Sequence, residues 1–207
     1  MKDGIRGFFR DVQRCRLCYG VGHDILVPTP APIPQRVRIL VVGEQPSRAA
    51  ASEGKSTLEG SEPGSEHLRS YLERAGVDLA EVMYVTAVLC VPETPELRPG
   101  RPTATETRNC SRHLRALIER AKPQIVVPLG HTGLLAVQFA FREWTELRQF
   151  ILNYDIGAVL TRGDLTVYPL YFPSASTLKA RPDARQLRDW QKIPSVLDSL
   201  EKAGRTG

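Results

Sequence analysis

Residues 37–43, VRILVVG, and 124–130, QIVVPLG, are apolar at consecutive positions from Ile39 and from Ile125 onward. A strand with one wet face alternates apolar and polar residues, whereas a strand covered on both faces does not need to. Both stretches are rich in Val and Ile, which suit a pleated, fully packed surface. The chain therefore has to supply helices for two faces of one sheet.

It does so in alternation. Residues 65–76, SEHLRSYLERAG, place Leu68, Tyr71, Leu72 and Ala75 at helical spacing, with Gly76 as the stop signal. Residues 82–90 predict a second strand, and 106–122 an amphipathic helix ended by Pro123. A third helix begins in 132–141. A fourth strand falls in 165–172, and 183–203 predicts a closing helix interrupted at Pro194. The Pro-rich stretch 28–34, PTPAPIP, reads as an extended connector after a short N-terminal segment. Strand–helix alternation implies a three-layer α/β/α sandwich around a four-stranded parallel sheet, with residues 1–207 as one domain. Ligands of such sheets bind past the carboxyl ends of the strands. The segments there are 43–47 (GEQPS), 90–93 (CVPE), 130–133 (GHTG) and 172–176 (FPSAS).

Composition narrows the class. With 42% hydrophobic and 25% charged residues the chain matches a globular average, which excludes fibrous and disordered classes. No apolar stretch approaches the roughly 20 residues of a membrane span, and no secretory leader is visible, so a cytoplasmic protein without a membrane partner is expected. The net charge of +5 is compatible with a polyanionic partner. Reducing surroundings argue against disulfides among the four cysteines. Cys15 and Cys18 form a C-x-x-C grip, while Cys90 and Cys110 are a looser pair. Four thiolates satisfy either tetrahedral zinc or one cubane iron–sulfur cluster, and spacing alone does not choose.

The order of these motifs resembles the uracil-DNA glycosylase superfamily, and within it the iron–sulfur branch (family 4 and its relatives). The matching features are the early C-x-x-C, the strand followed by GEQPS, the segment 84–92 (YVTAVLCVP), the second cysteine opening a helix, FPSAS, and the final 185–193 (RQLRDWQKI). The resemblance implies a 4Fe–4S cluster on Cys15, Cys18, Cys90 and Cys110, with residues 1–35 as the cluster-binding segment. It also implies hydrolysis of the N-glycosidic bond of a deaminated base, uracil or a related lesion, in DNA.

Glu44 takes the place of the family's water-orienting carboxylate. Gly43, Gln45 and Pro46 would shape the base pocket with Leu58, Ala87 and Phe172. Departures concentrate here. Ala87 stands where the family has Asn, Phe172 where it has His, Ser47 where it has Gly, and Leu58 near the position of a stacking Phe. His131, just past the third strand, is a candidate to compensate for the missing donors. Ser174, Ser176, Lys179 and Arg181, supported by Arg98, Arg101, Arg185 and Arg188, are expected to meet DNA phosphates. The expected partner is single- or double-stranded DNA, bound by a monomer. The alternative is a DNA-binding or damage-sensing homologue without turnover.

Overall fold

The computed structural model describes residues 2–52, 54 and 63–204. Leu58 and its neighbours in 55–60 lie outside the described residues. The element order is α1 (Lys2–Val12), β1 (Ile25–Leu26), β2 (Ile39–Gly43), α2 (Arg48–Ser52), α3 (Pro63–Arg74), β3 (Val82–Thr86), β4 (Val91–Pro92) and α4 (Ala104–Ala121). It continues with β5 (Ile125–Pro128), α5 (Gly130–Ala140), α6 (Thr145–Gln149), α7 (Leu152–Asp155), β6 (Leu160–Arg162), β7 (Leu165–Val167), α8 (Ala175–Ala180), α9 (Asp183–Trp190) and α10 (Ile193–Gly204).

The main sheet has the order β3-β2-β5-β7-β6. Its first four strands are parallel, as expected, and β6 adds an antiparallel edge. The sheet is therefore five-stranded, because β6 and β7 form a tight hairpin around Gly163 (φ +57°). Successive residues of β2 point to opposite sides. Leu40 and Val42 join one core with α1, α4 and α5, whereas Ile39 and Val41 join another with α3, α9 and α10. This double coverage is what the unbroken apolar runs required. Among the described residues no helix is long and apolar enough to cross a membrane.

Several boundaries differ from the sequence expectation for local reasons. The second strand leaves the ladder at Thr86, whose hydroxyl turns to bond the Val88 carbonyl. The fourth strand ends its regular pairing at Val167. Pro169 has no N–H to donate, and Leu170 rejoins only through an isolated bridge to Leu129. The closing helix becomes two, with Pro194 in the first turn of α10, where a proline ring is tolerated. The N-terminal segment is itself a helix. Ile5, Phe8, Phe9 and Val12, at i, i+3, i+4 and i+7, bury one face of α1.

Candidate functional site

Three strand ends converge on Glu44, which directly follows β2. The Thr132 hydroxyl, in the first turn of α5, donates to Glu44 Oε2 at 3.0 Å. Arg101 Nε lies 3.5 Å from Glu44 Oε1, but that arginine side chain is 83% exposed, so the pair is weak. The Ala87 and Val88 amides, past β3, donate to the carbonyls of Gly43 and Glu44 at 2.8 and 3.3 Å. The carboxylate is thus held by one hydrogen bond, from Thr132, and the backbone beneath it by two amides, while part of the carboxylate faces solvent.

Two glycines make this convergence possible. A side chain at Gly43 would collide with the Tyr84 hydroxyl. Gly130 adopts φ +67°, a left-handed turn that sends the chain from β5 into α5, and its amide bonds the Leu170 carbonyl at 2.8 Å. Gln45 Nε2 donates to the Gly100 carbonyl at 3.3 Å, and its Oε1 is buried without a hydrogen-bond partner. Pro46 is buried beside Tyr84 and Thr86 at the rim of the same edge.

The remaining sequence candidates divide. His131 is exposed, one residue before Thr132. Ala87 is 0% exposed and belongs to the core that includes α1 and α4, so it is a packing residue and does not line an open pocket. Phe172 is half-buried against the opposite core, and its ring covers Gly64, where an added Cβ would lie 2.7 Å from Cζ. Ser174 caps α8: its oxygen accepts from the Thr177 amide at 3.3 Å. Ser176 and Lys179 are exposed.

Arg181 corrects the phosphate-facing expectation. It forms a bidentate pair with the buried Asp189, at 2.6 and 2.8 Å, which occupies its guanidinium fork. Arg98 is corrected as well. Its side chain is only 4% exposed, and it donates to the Cys90 carbonyl at 2.6 Å.

All four cysteines line one pocket, together with Val12, Tyr19 and His113. Burial pushes the Cys90 thiol up to about 12, and also raises Cys110 and Cys18. Mutual repulsion of the sulfurs acts in the same direction. Two N–H groups already address sulfur: Leu89 N–H to Cys110 Sγ at 3.3 Å and Asn109 Nδ2 to Cys18 Sγ at 3.6 Å. Behind them, Arg98 Nη1 is buried without a hydrogen bond, its nearest acid being Glu106 at 3.6 Å. Tyr19 donates to the same Glu106, which closes a capping box with Thr103 at the start of α4.

Donors aimed at sulfur and an under-bonded buried cation fit a thiolate-ligated, net-negative centre. Among the described residues, no three His, Cys, Asp or Glu groups stand close enough to clasp a metal ion.

Sequence reasoning missed Thr132, which carries no motif and matters only because α5 starts beside β2. It also missed the Thr103–Glu106 capping box, a readable T-x-x-E pattern. The buried role of Arg98 left no trace in the sequence.

The fold and the site define an α/β sandwich protein with a partly exposed carboxylate, Glu44, at the carboxyl edge of a mostly parallel sheet. Residues 30–193 match the family model described as the Uracil DNA glycosylase superfamily, and the chain belongs to that superfamily. It is also 33% identical over 99 residues to a Type-5 uracil-DNA glycosylase from Pyrobaculum aerophilum. That alignment takes in 48% of this chain and spans about two fifths (39%) of the relative's length. The resemblance read from the sequence holds at the level of the superfamily.

Proposed function

We propose that this chain hydrolyses the N-glycosidic bond of a deaminated base in DNA, with Glu44 as the residue that orients the attacking water. The observation that carries the reading is the Thr132–Glu44 hydrogen bond, which leaves a fixed carboxylate at the ligand-binding edge of the sheet. In the reaction the water oxygen bonds to C1′ of the deoxyribose, and the bonding pair departs with the base. Glu44 takes up the water's proton and offsets the positive charge that develops on the sugar.

The buried Gln45 Oε1 is an acceptor without a partner, suited to an N–H of an extruded base. Gly43 and Pro46 shape the wall beside it. Ser176 and Lys179, exposed on α8, are proposed phosphate contacts, with Ser174 holding that helix start in place. His131 is proposed as an accessory donor at the same edge.

Cys15, Cys18, Cys90 and Cys110 would hold a 4Fe–4S cluster. Four thiols lining one pocket match the one-thiolate-per-iron requirement of such a cluster, and a single tetrahedral zinc ion is the alternative for the same donors. When bound, the cluster supplies a covalent brace between the segment after α1 and the loop after β3.

A second reading, DNA binding without turnover, draws on Ala87 and Phe172, which offer no polar side-chain group to a base. One experiment separates the two. Pure protein is incubated with single-stranded oligonucleotides containing uracil, hypoxanthine or xanthine, then treated with alkali. Strand cleavage at one lesion supports the enzyme. Binding with no alkali-labile site at any of the three supports the second reading.

A further inference from the structure

On the outer surface of the layer formed by α4 and α5 lies an open groove of about 680 Å³. Arg108, Arg112 and Arg115 line it from α4, Arg142 and Arg148 from the segment after α5, and Phe139 forms part of its floor. The three α4 arginines recur at i, i+4 and i+7, so they share one helix face. Arg115 is already neutralised by Glu119 and Glu143, at 3.0 and 2.8 Å. Among the described residues the other four have no ion pair.

The Arg108 guanidinium lies over the Phe139 ring, 5.0 Å from its centre, a cation–π contact that favours keeping the charge on this face. Four like charges without an acidic partner face one groove and repel one another. Arginine forks are matched to phosphate oxygens, and a polyanion would relieve the repulsion.

The groove also stands in a definite relation to Glu44. Thr132, which holds Glu44, and Phe139 belong to the same helix. Seven residues at 1.5 Å each separate them by about 10 Å along its axis.

We infer that this groove is a second nucleic-acid contact, which takes the phosphate backbone of a strand running on from the strand-end site at Glu44. Only the direction of the strand rests on the glycosylase reading; the binding itself does not require turnover. Phosphate is the group that every nucleotide presents to these arginines, and the amide of Gln138 is committed to the carbonyls of Leu147 and Phe150.

The test uses the full chain and a 20-nucleotide single strand without any lesion. Affinity is measured by fluorescence anisotropy across a salt series, for the wild type and for a triple variant (Arg108→Gln, Arg112→Gln, Arg142→Gln). On a single strand each phosphate contact contributes about 0.7 of a unit of slope in log affinity against log salt. The triple variant is expected to bind at least about tenfold more weakly at low salt, with the slope reduced by about 2.

A control removes equal charge from α1 (Lys2→Gln, Arg6→Gln, Arg10→Gln) and should bind within about twofold of the wild type. Arg112→Glu alone, at an exposed position, gives a second measure if the triple variant unfolds, and should weaken binding in the same direction. Curves that superimpose on the wild type overturn the inference, as they would if the groove served an acidic protein segment instead. An equal loss in the α1 control also overturns it, since net charge would then explain the effect. Base release from a lesion-bearing strand, scored separately, reports on the glycosylase reading alone.

Discussion

The Thr132 hydroxyl donates to Glu44 Oε2 at 3.0 Å, joining the first turn of α5 to the residue that follows β2. Removing the donor frees the carboxylate without removing it. Thr132→Val should therefore lower single-turnover base release by about tenfold, from one lost hydrogen bond to a charged group. Thr132→Ser should restore most of it. Glu44→Gln should cost about a hundredfold or more, the usual range for a lost general base. Rates across these three variants, with DNA affinity measured alongside, check the assignment.

The four thiols share one pocket, and Arg98 stands behind them with Nη1 buried and without a hydrogen bond. Cys18→Ala and Cys110→Ala should each lower bound iron per chain and lower the melting temperature, because ligand loss is folding loss in such sites. Arg98→Gln keeps all four cysteines but removes the cation, and should also lower iron retention during chelator challenge. Iron assay and the visible absorbance of the purified proteins provide the readout. Unchanged iron content in Cys110→Ala would end the cluster proposal.

Glu106 links this pocket to acid stability. Burial opposes its ionisation, but hydrogen bonds from Tyr19 and from Thr103, with the nearby Arg98, outweigh it and hold its carboxyl below the ordinary carboxylate value. The folded state thus binds fewer protons there than the unfolded chain. The associated stability is complete above the ordinary carboxylate value and is lost as pH falls through the depressed one. Denaturant melts should show the wild type losing stability between about pH 5 and pH 3, whereas Glu106→Gln, weaker at neutral pH, should lose less over that window.

Arg181 and Asp189 offer a contrast between two roles for one residue. Asp189 is 6% exposed in its side chain and Arg181 23%, so removal of the arginine leaves a nearly buried carboxylate without its partner. Arg181→Ala should cost about 2 to 3 kcal/mol, below the range for a fully buried pair because the arginine is partly wet. That corresponds to a melting-temperature drop of roughly 5–10 °C. Affinity for lesion-free DNA should stay within about twofold of the wild type, whereas a phosphate contact at Arg181 would show as a lower salt slope.

By itself the sequence determined the layered architecture, and with it the sheet edge past which ligands of such folds bind. Runs such as 39–42 and 125–127 are apolar at every position, and local periodicity says which side of a helix is buried. Those are short-range signals, carried by neighbouring residues. It also marked Glu44 and the four cysteines, because their spacing within the chain resembles a known family.

Only the tertiary structure decided what each cation does. Arg98, Arg181 and Arg112 are alike as letters in the sequence. The first is buried beside the thiols, the second is locked onto Asp189, and the third is left open in the α4–α5 groove. Ala87 and Thr132 follow the same rule. One is sealed into the core, and the other meets Glu44 across 88 residues of chain. The physical reason is that a charge or a hydroxyl takes its role from the partner it meets. Those partners come from elements distant in sequence, brought together only when the sheet closes its two cores.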